Sequence, residues 1–169
     1  MITLTKAQNT THSQCHTYRH AVIWGNPHSG KTILNIVTTI EYCRMHPNTR
    51  SIIFGNNIFE EVVRYCDSSV VIKKFCRTIT FTNGSILTAT NLNLKFIASL
   101  SYDCICVATS SLSTDDLRAI MARRSNHNVS YHECHSELQA RDTVATLIEC
   151  GIAPDQMCLC PLNSTENEL

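Results

Sequence analysis

One octapeptide near the start of the chain restricts the fold more than any other feature. It reads Gly25-Asn26-Pro27-His28-Ser29-Gly30-Lys31-Thr32, which satisfies the pattern G-x-x-x-x-G-K-[ST] at every defined position. The apolar run Ala21-Val22-Ile23-Trp24 precedes it, as expected of a strand buried on both faces, and a helix is predicted over 31–45 after it. A strand, a glycine-containing loop and a helix in this order predict a phosphate-binding loop rather than a chance turn before a helix.

The residue types in this loop match the chemistry of a nucleoside triphosphate. The glycines allow the backbone to close its N–H groups around phosphate oxygens, and the start of the helix adds the positive end of a dipole. Lys31 is expected to be exposed in the free loop and to reach the β and γ phosphates. Thr32 is expected to place its hydroxyl on the Mg²⁺ that bridges those phosphates. We therefore expect residues 25–32 to bind ATP together with Mg²⁺.

Strands and helices alternate along the rest of the chain. Apolar runs predict strands at 51–54 and 102–108, and helices are predicted at 58–66, 114–124 and 137–150, with a further strand at 128–132. Asn83-Gly84 between two alternating runs predicts a hairpin that pairs 78–82 with 85–89. This order predicts an α/β fold, a three-layer P-loop NTPase sandwich around a mainly parallel sheet. The strands of Val22, Ile53 and Cys106 are expected to be adjacent.

Length and composition bound the domain organisation and the compartment. The 169 residues leave room for one domain, predicted over 20–169, after a polar segment 1–19 that is expected to be a loose arm. The formal net charge is zero, so composition gives no sign of non-specific nucleic-acid binding. Ten cysteines without a CxxC pair favour a reducing compartment, the cytoplasm or nucleus of a host cell. No apolar run is long enough for a membrane span, so we expect no membrane partner.

The stretch 78–109, taken with the octapeptide, resembles the ATPase domain of the large terminase subunit, the DNA-packaging motor of tailed phages and herpesviruses. Gly84 and Ser85 match the "nGS.i" hairpin of that family, and Asp103 matches the acidic residue that often opens its Walker B strand. The resemblance covers residues 20–135 and implies an ATP-binding, terminase-like or helicase-like P-loop domain of viral or phage origin. It also implies DNA and other subunits of a viral assembly as partners. The family's nuclease domain has no room here, so a complete motor is not expected.

The catalytic carboxylates of that family are missing at the matching positions. Its Walker B strand ends in Asp-Glu, which hold the Mg²⁺ shell and orient the attacking water, whereas this chain has Ala108 and Thr109. The glycine and arginine that usually precede the strand are also missing, with Ala98 and Ser99 near their places. Neutral side chains cannot act as a general base or replace a carboxylate at the metal. We therefore expect weak or absent hydrolysis.

Three aspartates are candidates for the missing carboxylate. Asp103 lies at the wrong end of its strand, because phosphates bind at the carboxyl ends of parallel strands, and a strand-start cap is its simpler role. Asp115 and Asp116 follow the strand, although Ser113 or Thr114 before Asp-Asp is typical of a helix N-terminus. Two alternatives stay open. One is an active NTPase that uses one of these carboxylates or one from another subunit, and the other is a non-enzymatic module in which nucleotide stabilises an assembly or DNA binding.

Histidines and cysteines are concentrated in the last third of the chain. They are His127, His132, Cys134, His135, Cys150, Cys158 and Cys160. Structural zinc usually takes two pairs of ligands two to four residues apart, and only 132–135 and 158–160 come close to that spacing. Buried thiols and surface histidines are the favoured interpretation. Arg123 and Arg124 are expected to be charges at a helix end rather than a trans-acting arginine finger.

Overall fold

An eight-stranded sheet with helices on both faces is formed by the described residues of the computed structural model, 4–67, 71–75, 77–91, 100–109 and 112–162. The strands are β1 (His20–Trp24), β2 (Arg50–Phe54), β3 (Val71–Phe75), β4 (Thr78–Phe81), β5 (Ile86–Thr90), β6 (Tyr102–Val107), β7 (Arg124–Cys134) and β8 (Met157–Pro161). The helices are α1 (Lys6–Thr17), α2 (Lys31–Met45), α3 (Ile58–Tyr65), α4 (Thr114–Met121) and α5 (Glu137–Glu149). The strand order is β3-β4-β5-β2-β6-β7-β1-β8.

The sheet is mainly parallel and buried on both faces. All pairs from β5 to β8 in the sheet order are parallel, and only β3 and β4 add antiparallel pairs at one edge. Alternate residues of the same strand enter opposite cores. Ile23 and Ile53 pack on one face with residues of α1, α2 and α3, while Val22 and Ile52 pack on the other with residues of α4 and α5. The predicted three-layer α/β fold is confirmed.

The order of the central strands differs from the prediction in one respect. β2 and β6 are neighbours and all the strands concerned are parallel, but β7 lies between β6 and β1. β7 has eleven residues, and its buried side chains include the polar Asn128, Ser130 and His132. A central strand with buried polar residues does not give the continuous apolar run that identifies the other parallel strands. Its carboxyl end consequently lies next to the start of the loop at 25–32.

Segment 1–19, expected to be loose, contains helix α1. The helix begins with a capping box, because the Thr5 side chain accepts a hydrogen bond from the Gln8 backbone while the Gln8 side chain accepts one from the Thr5 backbone. Gln8, Thr11 and Cys15 are its buried residues, at helical spacing. Two of these three residues are polar, so hydrophobic periodicity could not reveal the helix.

The hairpin and α2 have the form that the sequence predicts. In the hairpin Ile79 pairs with Leu87, and α2 has the predicted bounds. Strands β3 and β8 were not predicted, and both lie at edges of the sheet. Ala98 and Ser99 lie outside the described residues. None of the helices in the described ranges combines the length and the apolar character that a membrane span needs.

Candidate nucleotide-binding site

The octapeptide forms the turn after β1 and the first two residues of α2, at the carboxyl end of the parallel strands. A β-carbon at Gly25 would lie 1.9 Å from the carbonyl oxygen of Leu162, the residue that follows β8, so the backbone approach leaves room only for glycine. Gly30 has a φ of 84°, in the left-handed region, and directly precedes α2. Asn26, Pro27 and His28 are exposed. The backbone of this turn therefore requires glycine at positions 25 and 30.

The ammonium group of Lys31 lies inside the loop. Only 3% of the residue is exposed, and its Nζ donates hydrogen bonds to the carbonyl oxygens of Gly25 (2.8 Å) and Asn26 (2.7 Å) and to the Ser29 Oγ (3.2 Å). Burial lowers the pKa of Lys31, and the nearby Glu133 carboxylate opposes that shift. The prediction of an exposed lysine is wrong, because a group with three donors takes the nearest carbonyl oxygens as acceptors.

A carboxylate that the sequence patterns did not predict contacts Thr32. The Thr32 hydroxyl donates a 2.8 Å hydrogen bond to Oε2 of Glu133, the penultimate residue of β7. Glu133 is paired in register with Ile23 of β1 and is 9% exposed. The sequence does indicate a position for Glu133 at the end of a strand, because it directly follows the predicted strand 128–132 and precedes a helix capped by Ser136. Carboxyl ends of parallel strands are where such α/β sheets bind ligands.

The three aspartates proposed from the sequence have other partners. The Asp103 carboxylate, near the amino end of β6, accepts a 2.9 Å hydrogen bond from the backbone N–H of Arg50, the first residue of β2. Asp115 pairs with Arg118 at 2.8 Å, and its side chain is 92% exposed. Asp116 accepts a 2.7 Å hydrogen bond from Ser113, the N-cap of α4. These contacts place Asp103 at the start of a strand and the other two in the first turn of a helix.

The end of β6 contributes neutral residues to a small cavity. Ala108 is 8% exposed and its backbone donates to the Phe54 carbonyl at 2.8 Å, so its side chain lies in the core. Thr109 is half-buried and lines a cavity of about 140 Å³ at the carboxyl ends of β6 and β7. Glu133 and Asp142 are the acidic residues in the lining of that cavity. Glu133 therefore lies between the Thr32 hydroxyl and this cavity.

Helix α1 packs on the loop from the other side. A β-carbon at Gly30 would lie 2.1 Å from Nε2 of Gln8, and Gln8 is 8% exposed. Because α1 also packs on α2, the first helix covers both the loop and the helix that follows it. A substitution at Gly30 would thus displace the Gln8 amide and strain the left-handed backbone.

The C-terminal histidines and cysteines have structural contacts. The Ser130 Oγ lies 2.8 Å from Nδ1 of His20 and 2.8 Å from Nε2 of His132. Burial, with smaller effects of Arg124 and Arg19, lowers the pKa of His20 to about 4, and burial with a smaller effect of His20 lowers that of His132 to about 3. Cys134 contacts the Thr143 hydroxyl at 3.4 Å.

In the part of the chain that the structure describes, these C-terminal residues form no group of three metal ligands; the His127 side chain lies outside that part. The Sγ atoms of Cys158 and Cys160 lie 3.4 Å apart. Arg124 donates to the backbone carbonyls of Met121, at the end of α4, and of Cys150, at the end of α5. The contacts of Arg124 are those of a helix-end cation.

Comparisons with known proteins find similarity at the level of structure. No protein-family model and no curated protein matches the chain. The large terminase from a thermophilic bacteriophage, in its crystal form 3, aligns with a TM-score of 0.74 and 11% identity, over 98% of this chain and 46% of that chain. Its complex with ADP aligns with a TM-score of 0.72 and 11% identity, over 95% of this chain and 45% of that chain. Its complex with ATP-γ-S aligns with a TM-score of 0.68 and 10% identity, over the same shares of the two chains. The chain thus spans about half the length of the terminases that it matches.

Proposed function

We propose that this chain, which has the terminase-like P-loop fold, binds ATP through residues 25–32. The observation that carries the proposal is the arrangement of Lys31, Thr32 and Glu133 around one loop at the carboxyl end of β1. The bacteriophage terminase of the same fold has been crystallised with ADP and with ATP-γ-S, which supports a nucleotide of this class. The charged Lys31 exchanges its loop carbonyl acceptors for phosphate oxygens, which form stronger, charge-assisted hydrogen bonds.

Mg²⁺ fits the donors beside the loop. The Thr32 hydroxyl and the Glu133 carboxylate, 2.8 Å apart, are hard oxygen ligands of the type that Mg²⁺ prefers. We propose that Glu133 replaces the aspartate that is missing at the end of β6 and holds the Mg²⁺ shell together with Thr32. Mg²⁺ bound there would neutralise charge on the phosphates.

Weak or absent hydrolysis follows from the same arrangement. Glu133 is engaged with Thr32, and the end of β6 offers Ala108 and Thr109 where a general base is needed. An enzyme without a positioned base loses a factor of about 10² to 10⁴ in rate. The favoured function is therefore an ATP-binding module, and the partners proposed for it are DNA and other subunits of a viral packaging assembly.

An active NTPase is the second candidate. The lining of the cavity favours Glu133 or Asp142 as its catalytic carboxylate over Asp103, Asp115 and Asp116. Glu133 and Asp142 both line the cavity at the carboxyl ends of β6 and β7, and in this candidate one of them orients an attacking water. A phosphate-release assay separates the candidates. Steady turnover that is lost in Asp142→Asn would establish the enzyme, while stoichiometric binding without turnover would establish the binding module.

The test of nucleotide binding compares three variants with the unmodified protein in an ATP titration with Mg²⁺. Lys31→Ala is expected to weaken ATP binding at least about tenfold, because a charge-assisted contact is worth about 1.5 to 3 kcal/mol. Thr32→Ala is expected to weaken it only when Mg²⁺ is present, and Thr32→Ser, which keeps the hydroxyl, serves as the matched control. Circular dichroism checks that each variant is folded. Equal ATP affinity of Lys31→Ala and the unmodified protein would disprove the proposed site.

A further inference from the structure

Three ligand-bearing side chains converge between α1 and α2. His12 and His16 are one helical turn apart on α1, and Glu41 lies on α2. Oε2 of Glu41 lies 2.9 Å from Nε2 of His12 and 3.3 Å from Nε2 of His16. The two Nε2 atoms are themselves 3.2 Å apart. Within the described residues this is the group whose ligand atoms come close enough to share one ion.

The dimensions of this triangle match one face of a zinc coordination tetrahedron. Zn²⁺ binds histidine nitrogen and carboxylate oxygen at about 2.0 to 2.2 Å, which separates neighbouring ligand atoms by about 3.3 to 3.6 Å. The observed separations of 2.9 to 3.3 Å need only a few tenths of an ångström of expansion. The two rings are nearly perpendicular, with an interplanar angle of 88°. The rings are therefore not stacked on each other, and both Nε2 atoms lie within 3.3 Å of Oε2 of Glu41.

The surroundings suit an ion that enters from solvent. The exposed side-chain fractions are 17% for His12, 33% for His16 and 37% for Glu41, so the ligands are sheltered but reachable. Two neutral imidazoles and one carboxylate form a donor set that suits Zn²⁺ and related transition-metal ions, whereas Mg²⁺ and Ca²⁺ prefer oxygen ligands alone.

We propose that His12, His16 and Glu41 bind one divalent transition-metal ion of the Zn²⁺ class, which fastens α1 to α2. Three protein ligands leave a fourth position for water. The ion would hold in place the helix whose Gln8 packs on Gly30, because Gln8, His12 and His16 follow one another at four-residue intervals on one face of α1. Metal binding by these residues does not depend on the nucleotide function proposed for the loop.

Titration with Zn²⁺ alone tests the site, without nucleotide. We expect one equivalent to bind and the melting temperature to rise with metal concentration, since an ion that binds only the folded state stabilises it. His12→Gln, His16→Gln and Glu41→Gln should each weaken binding at least about tenfold, because even loss of an outer-shell partner costs that much. His46→Gln alters an exposed histidine at the end of α2 and should leave binding unchanged.

Co²⁺ as a spectroscopic substitute separates this site from binding by cysteine thiols. The proposed ligands predict visible absorption of a four-coordinate ion without the intense near-ultraviolet bands of thiolate-to-metal charge transfer. This measurement uses the unmodified protein, so it remains decisive if a variant fails to fold. Absence of binding, thiolate bands, or an affinity unchanged in the folded His12→Gln and Glu41→Gln variants would overturn the proposal.

Discussion

A hydroxyl and a carboxylate from distant parts of the chain form the contact on which the proposed metal chemistry depends. Thr32 and Glu133 are separated by 101 positions in the sequence and by 2.8 Å in space. Lys31 completes the group with an ammonium that the loop carbonyls already hold in place. The three side chains together offer one cation for phosphate and two oxygen ligands for Mg²⁺.

Replacement of Glu133 by glutamine tests its role at the scale of one residue. The amide can still accept the Thr32 hydrogen bond, but it has no charge with which to hold Mg²⁺. We expect ATP affinity with Mg²⁺ to fall about tenfold and affinity without Mg²⁺ to change little, as measured by titration. Glu137→Gln is the matched control, because it removes an exposed carboxylate of α5 that pairs with Arg141. An unchanged Mg²⁺ dependence in Glu133→Gln would exclude this carboxylate from the metal shell.

The insertion of β7 between β6 and β1 decides which element can supply a carboxylate to the loop. Because β7 is the neighbour of β1, its last residues reach the octapeptide, whereas the end of β6 is one strand farther away. Cys104 and Cys106 fill the core on one face of β6, and desolvation raises the pKa of the Cys106 thiol to about 12. In the structure β6 is thus a packed central strand.

Restoration of an acidic residue at the end of β6 tests this interpretation at the scale of an element. Ala108→Asp would place a carboxylate in the apolar core, and a buried charge without a partner costs about 3 kcal/mol or more. We expect a corresponding loss in the free energy of unfolding, measured by urea denaturation at pH 7. Thr109→Asp, at the half-buried next position, should lower the free energy of unfolding much less. Equal stability of the two variants would show that position 108 is open to solvent.

Two buried histidines link the stability of the whole molecule to pH. His20 on β1 and His132 on β7 both contact Ser130 and stay neutral in the folded protein, because burial lowers the pKa values of His20 to about 4 and of His132 to about 3. In the unfolded chain each histidine takes up a proton near pH 6.5. Below that pH the unfolded state binds more protons than the folded state, so acid favours unfolding.

The free energy of unfolding is therefore expected to keep the whole contribution of these histidines above pH 6.5 and to fall as the pH decreases from about 6.5 to 4. Each histidine that stays neutral contributes a slope of about 1.4 kcal/mol per pH unit. Urea denaturation at several pH values measures it. His132→Gln should reduce the slope, while His46→Gln, which alters an exposed histidine, should not. A slope that is the same in both variants would contradict the buried-histidine mechanism.

The sequence by itself determined the loop at 25–32, helix α2, the hairpin and the α/β class, because these depend on local patterns of glycine, apolar periodicity and turn residues. The sequence did not predict helix α1 or the full length of strand β7, because their buried side chains are largely polar. Burial of such side chains becomes favourable only through partners such as Ser130 for His132. Only the tertiary structure placed Glu133 beside Thr32 and brought His12 and His16 to Glu41. Strand order and helix packing join residues far apart in the chain, and no local pattern specifies which distant groups will meet.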